Sequence, residues 1–378
     1  MAEAVSVYDA AIAGGGPAGL ATAIALAQRG LRVAVLERQG CCPDKACGEG
    51  LMPSALTALR ALGVTGGIDP SQSHPFVGLK FIQPDGGCAT ASLPNGGGLG
   101  VRRVVLEAAL EVRARELGVE LHHHTGVSDF TITPEHVGVF TTKDPVKAKV
   151  LIAADGLNSW LRRAAGFNGR EGRVRRFGLR QHFQIRPASP FVEVHFGDGI
   201  EAYVTPMGPE LVGVALLWEP DFLDERASFD NLILHFPALV EQLNGAKPAS
   251  RVRGAGPMYR LAKARVGDRF LLIGDAAGYI DAITGEGLSI AFNCALAVGR
   301  ILPDAIAHGA SRQTLLAYDR EFLRHFRRYA ALTHLMLVVT RRPWLRHQIV
   351  RMLGRNQWAF ELMLLLALGT RNTSRFGR

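Results

Sequence analysis

Three stretches of the chain carry apolar runs that stop at a glycine or an acid. "VYDAAIAGGGPAGLATAIALAQRGLRVAVLER" reads as an apolar strand, a glycine-rich turn, a helix with Ala and Leu at helical spacing, and a second apolar strand ending at Glu37. That order is a βαβ unit. "KVLIAADGLNSWLRRAAG" is a strand running into Asp155-Gly156, with Ser159 and Arg162 on the helix that follows. "DRFLLIGDAAGYIDAITGEGLSIAFNCALAVGRIL" is a strand ending at Gly274-Asp275, then a glycine-bounded loop and a long helix. In the last two an acid closes a buried-type strand, where ligand groups gather in open α/β sheets. The same position also suits an ordinary helix N-cap.

Between these segments the period changes to two. "VGLKFIQ", "RFGLRQHFQI", "FVEVHF", "EAYVTPM" and "ELVGVALLW" alternate apolar and polar residues between Gly, Pro and Asp, which predicts antiparallel strands with one face covered. After Ile301 the period is helical, and paired arginines separate apolar runs in "RHFRRYAALTHLMLVVTRRPWLRHQIVRMLGRNQWAFELMLLLALG". Helices of this kind pack on the protein body or lie on an anionic membrane surface. No apolar run reaches the roughly 18 to 20 residues of a membrane span.

Length and charge narrow the classes. A chain of 378 residues predicts one large domain or two interleaved ones. The net charge of +9 is spread along the chain without a basic run interleaved with aromatics, so nucleic acid is not the expected partner. Five cysteines form an odd set, and no charged-then-apolar leader precedes the first strand, which together predict thiols and a cytoplasmic setting. No metal site is expected. His122, His123 and His124 would point to alternate faces of a strand, and Cys41, Cys42 and Cys47 lack a local fourth ligand and a C-x-x-C spacing.

The first segment carries chemistry. Gly14, Gly16 and Gly19 give G-x-G-x-x-G between strand and helix, suited to a tight turn and close approach to a pyrophosphate. Pro17, which has no N–H, and Ala18 then open a helix whose other first-turn N–H groups are unpaired. Glu37, 18 residues after Gly19 and followed by Arg38, is placed to bond a ribose. An adenine dinucleotide is expected, either FAD or NAD(P).

Taken together, the segments resemble the flavoprotein family that includes aromatic hydroxylases, flavin-dependent halogenases and geranylgeranyl reductases, over roughly residues 6–300. The resemblance implies an α/β fold: a glutathione-reductase-type FAD-binding Rossmann domain (1–71, 101–173, 265–308), an interleaved antiparallel-sheet substrate domain (72–100, 174–264) and a helical C-terminal region (309–378). It implies FAD, held by the first motif and by Arg103 of an R-x-x-L-x-x-x-L helix with Leu106 and Leu110. Val127, Asp155, Gly274, Asp275, Gly285, Gly287 and Leu288 complete the implied cofactor set. The N–H groups of Gly287 and Leu288 would stabilise negative charge on reduced flavin.

"KACGEGLMPSALTALRALGV" is similar to the geranylgeranyl reductase segment in which a Cys-Gly pair lies against the isoalloxazine ring. Cys47, Gly48 and Glu49 are accordingly the implied catalytic turn, with Gly50 beside it and Pro53 opening the next helix. His182, His195 and Tyr203 are the candidate substrate residues on the roofing strands. The chain departs from that branch at Ala282, where a proline is usual, and at Glu201-Ala202-Tyr203-Val204-Thr205-Pro206, which stands for Y-x-W-x-F-P. A substrate other than a long polyprenyl chain is therefore implied. No second G-x-G-x-x-G follows a strand, so NADPH or NADH is expected as a transient donor. The expected activity is FAD-dependent reduction of a carbon–carbon double bond in a hydrophobic metabolite. The alternatives are a monooxygenase or oxidase of an aromatic or polyketide-like substrate, and a non-catalytic flavin-binding protein acting on a membrane or partner.

Overall fold

The computed structural model describes residues 7–172, 175–222 and 227–368. The first apolar runs form strands Tyr8–Ala13 and Val33–Leu36, joined by helix α1 (Pro17–Ala27), and all three are almost wholly buried. Continuous rather than alternating apolar character suits a parallel sheet covered on both faces. Tyr8–Ala13 pairs in parallel with Val33–Leu36 on one side and Val146–Ala153 on the other. Glu120–His122 and Phe270–Leu272 extend the parallel order at either end. The carboxyl ends of Tyr8–Ala13, Val146–Ala153 and Phe270–Leu272 thus lie side by side, and the loops after them meet at one edge of the sheet.

Helix α2 (Pro53–Ala61) begins at Pro53, and α3 (Arg103–Glu116) packs on α1. Helix α4 (Trp160–Ala164) is capped by Ser159, whose Oγ accepts from the Arg162 N–H at 2.9 Å.

The second sheet holds the alternating segments. Phe177–Gln184, Leu211–Trp218, Ile200–Gly208 and Phe191–Phe196 pair antiparallel in that order. One join differs from the antiparallel expectation, since Phe191–Phe196 runs parallel to Gly78–Ile82. These strands come from widely separated parts of the chain, so no hairpin fixes their direction. Helices α5 (Phe229–Ile233) and α6 (Pro237–Gln242) cover the face carrying Val204, Val212 and Leu216.

Helix α7 (Gly287–Ala307) is the one helix among the described residues long and apolar enough to cross a membrane, a match absent from the sequence expectation. Half of its most apolar window is buried, and it packs between α1 and α8 (Arg312–Thr340) as a core helix. A Cβ at Gly299 would stand 2.9 Å from Ala25 Cβ, so the missing side chain lets the two helices touch.

Helices α9 (Pro343–Arg355) and α10 (Gln357–Leu368) both pack on strand Cys88–Ser92. Their inner faces are thus packed on the body, while residues 369–378 of the expected helical region lie outside the described residues. Buried Arg346 pins α9 to the second sheet: its guanidinium donates to Gly197 O at 2.7 Å, Thr340 O at 3.1 Å and Gln83 Oε1 at 3.1 Å, and pairs with Asp198. Arg346→Ala leaves the Gly197, Thr340 and Gln83 acceptors without this buried donor. It should cost about 3 kcal/mol of stability, read as a lowered denaturant midpoint.

Candidate active site

A cavity of about 1100 Å³ opens where the three loops meet and continues beneath the second sheet. Its first part is backbone. Gly14 takes φ +114°, and a Cβ there would stand 2.4 Å from Ala154 O. At Gly19 a Cβ would stand 2.0 Å from Gly14 O. Only glycine permits this turn. No side chain caps α1 at Gly16, and Gly16, Pro17 and Ala18 line the cavity, so the helix N-terminus presents free donors and its positive dipole end to it. Glu37 is fixed alongside: its carboxylate accepts from the Gly15 N–H at 2.7 Å and the Gln39 N–H at 2.8 Å. Arg38 and Val127 line the same end.

The acid loops sit opposite. Asp155 Oδ2 accepts from the Leu161 N–H at 3.0 Å, so part of this side chain does cap α4, yet Oδ1 is buried with no partner among the described residues. Asp275 also lines the cavity; burial pushes its carboxyl up, against the pull of Arg103, Arg162 and Lys45. Buried Arg162 clamps the two loops together, donating to Leu157 O at 3.0 Å on one and Ala276 O at 2.9 Å on the other. Arg103 pairs with buried Glu107 at 2.6 Å while its Nε lacks a partner. Lys45, which the motifs did not single out, joins this group; burial and the neighbouring Arg103 push its pKa down.

Buried polar atoms without partners, facing a cavity, are satisfied by a polar ligand. An N–H cradle, a ribose-binding acid, cationic side chains and two carboxylates fit FAD. Gly274 (φ +61°), Gly285 (φ +67°), Gly287 and Leu288 line the cavity between Asp275 and the start of α7. There Glu286 stands as the N-cap residue; burial pushes its carboxyl up to about 7, and Oε1 has no partner among the described residues.

Cys47, Gly48 and Gly50 line the cavity, and burial pushes the Cys47 thiol up. Glu49 has a different occupation. It adopts φ +58° and is buried, with Oε1 accepting from the Arg103 N–H at 2.7 Å and Oε2 lying 2.6 Å from His182 Nε2 and 3.7 Å from Arg180 Nε. A carboxylate accepts only, so His182 donates through Nε2, while its Nδ1 lies 2.9 Å from Ser250 Oγ. His182 is fully buried and does not line the cavity.

His195 lies on the other face of its strand. Val192 and Val194 line the cavity, so alternation turns His195 away, against Phe236 and 3.5 Å from Glu193. Tyr203 does face the cavity, with its hydroxyl donating to Ile283 O at 3.1 Å. The triple histidine does not converge: His123 bonds Glu111 at 3.0 Å while His122 lies near Glu120. Cys41 and Cys42 stand close to Glu111 with ligand atoms within 4.8 Å of one another, and none of the three lines the cavity.

Fold and site together define an FAD-dependent oxidoreductase. The chain belongs to the FAD-binding domain family, whose profile matches residues 7–333. It is 24% identical over 335 residues to a digeranylgeranylglycerophospholipid reductase of Methanococcus vannielii, covering 84% of this chain and 81% of that one. It is 26% identical over 358 residues to a menaquinone reductase of Mycolicibacterium smegmatis, covering 88% and 84%. Conditioned medium factor receptor 1 of Dictyostelium discoideum is 28% identical over 314 residues, which are 76% of this chain and span only 61% of that protein. Among solved structures, a flavoprotein/dehydrogenase from Cytophaga hutchinsonii superposes with TM-score 0.83 at 19% identity, covering 96% and 92%. Halogenase PltM in complex with phloroglucinol and FAD gives 0.80 at 20%, covering 89% and 78%. At these identities the likeness establishes the shared fold.

Three outcomes are expected. Gly19→Ala should weaken FAD binding by about a hundredfold or more in a flavin-fluorescence titration, because the methyl group collides with backbone. Glu49→Gln should cost about 3 kcal/mol in denaturation, since His182 and Arg180 lose a buried charge partner. Glu286 binds its proton more tightly folded than unfolded, so its contribution to stability falls as pH rises from the ordinary carboxyl range through about 7. Stability of Glu286→Gln relative to the parent should therefore increase across that window.

Proposed function

We propose that this protein reduces a carbon–carbon double bond of a lipophilic substrate, with FAD as the hydride carrier and NADPH or NADH as its transient donor. The observation that carries the reading is the lining of the cavity beyond the cofactor cradle. Met52, Phe76, Leu79, Phe81, Val192 and Val194 form one apolar wall, and Leu332, Met336, Met363 and Leu364 from α8 and α10 form another. Such a wall excludes water and receives hydrocarbon. The two reductases among the relatives act, by name, on a lipid and a quinone, which supports the same direction.

Bound FAD, once reduced, supplies the hydride. Saturating the bond also takes a proton at the second carbon. Cys47 is the proton-bearing side chain of the turn that lines the cavity, and its raised pKa keeps it an S–H. Glu49 is already engaged by three buried groups and acts as a positioning residue for that turn. Tyr203, tied through its hydroxyl to the 280–287 loop, shapes the wall and holds the loop.

The test is anaerobic turnover of a panel of lipophilic alkenes, from short-chain apolar compounds to menaquinone and digeranylgeranylglycerophospholipid, with deuterium-labelled nicotinamide. Deuterium on a saturated product carbon is the expected result, with Cys47→Ala slowing turnover about a hundredfold at unchanged FAD content. Oxygen-dependent product with no anaerobic turnover would instead assign a monooxygenase.

A further inference from the structure

The helices that wall the cavity on the inside carry an unusual outer surface. On α9 the buried stripe is Arg346, Val350 and Leu353, and the opposite stripe holds Trp344, Gln348, Arg351, Met352 and Arg355. Trp344 is 74% exposed. On α10, Phe360 and Leu364 point in, while Trp358 is 67% and Leu366 73% exposed. On α8 the exposed stripe runs Arg328, Ala331, Leu335, Val338, spaced by three or four residues and followed by Arg342 at the start of α9, with Leu335 57% exposed. The three helices pack on one another, and α9 and α10 rest on the same strand, so these exposed stripes lie on neighbouring helices.

Charge decides what covers these stripes. From Phe322 to Leu368 there are eight arginines and a single acid, Glu361. Arg328, Arg351 and Arg355 have no carboxylate partner among the described residues. Exposed tryptophans and aliphatics interleaved with free arginines match an interfacial membrane surface, in which rings sit at headgroup depth and guanidiniums meet phosphates. A protein partner or a second copy would have to supply matching acids, and the basic stripe repels its own copy.

We propose that the outer face of α8–α10 docks on an anionic lipid bilayer, and that docking sets the apolar lobe of the cavity against the membrane. The same helices serve both sides: Leu332 and Met336 of α8 and Met363 and Leu364 of α10 face the cavity, one helix thickness from the stripes above. A lipophilic substrate would pass between α8 and α10 without crossing water. This delivery step rests on the proposed lipophilic substrate, whereas the docking itself is independent of it.

The test is flotation of the FAD-loaded protein with vesicles of phosphatidylcholine alone and with added phosphatidylglycerol, alongside tryptophan emission. Binding to the anionic vesicles, a blue shift and loss of binding at high salt are expected. Trp344→Ser/Trp358→Ser and Arg351→Gln/Arg355→Gln should each weaken vesicle affinity about tenfold or more, with flavin absorbance and thermal midpoint unchanged. No binding to anionic vesicles at low salt, binding unaffected by either double variant, or self-association through this face in place of vesicle binding would each overturn the proposal. None of these readouts involves turnover, so failure of docking and failure of the proposed reduction are separately visible.

Discussion

The buried carboxylate of Glu49 is the contact on which the site's geometry depends. It joins three pieces of chain distant in sequence: its own turn, the first N–H of α3 at Arg103, and the Arg180–His182 stretch of the second sheet. A left-handed backbone at a non-glycine residue costs on the order of 1 kcal/mol and persists where surroundings over-determine it. Here they do, because each carboxylate oxygen is held by a buried donor. The consequence is local: Cys47, Gly48 and Gly50 are presented to the cavity by a turn whose position is set from α3 and the second sheet at once. Thr205 of the second sheet reinforces it by donating to Gly48 O at 3.2 Å.

The cofactor end is joined in the same way. Arg162 takes carbonyls from both acid loops, so Asp155 and Asp275 keep a fixed separation even though their strands belong to distant parts of the sequence. Across the second sheet, one row of register partners runs Arg180, Ala215, Tyr203, Val194, Phe81. Cationic at one end, with a tyrosine in the middle and aliphatic then aromatic at the other, this row passes from a polar to an apolar part of the cavity roof.

Much of this was legible in the sequence because it rests on local rules. Gly14 and Gly19 are needed where backbone meets backbone, and the carboxyl ends of parallel strands gather ligand loops whatever the side chains. Roles that depend on which face a residue takes were less accessible. His195 and Val194 are neighbours in "FVEVHF", and only the register against Tyr203 and Phe81 tells which one meets the cavity. His182 sits on the cavity-side face yet is consumed by Glu49, a partner 133 positions away that no periodicity announces. The wall from α8 and α10 escaped for the same reason: a helical stripe predicts that a face is buried, without saying against what.

The C-terminal helices do more than close the cavity. The Tyr329 hydroxyl of α8 donates to Asp281 O at 2.7 Å and sits near the N–H groups of Ile280 and Asp281, anchoring the loop that leads to Gly285 and Gly287. Beside it, Arg176 gathers Glu201, Glu219 and Asp281, and Arg341 at the end of α8 adds a second cation at Glu219. Three buried carboxylates against two guanidiniums leave one negative charge in excess, and burial pushes Asp281 up to about 6. The cluster thus binds the second sheet, the loop beside the cofactor cradle and the helical wall in one network. The helix that walls the cavity is therefore also tied by side-chain contacts to the loop beside the cofactor cradle.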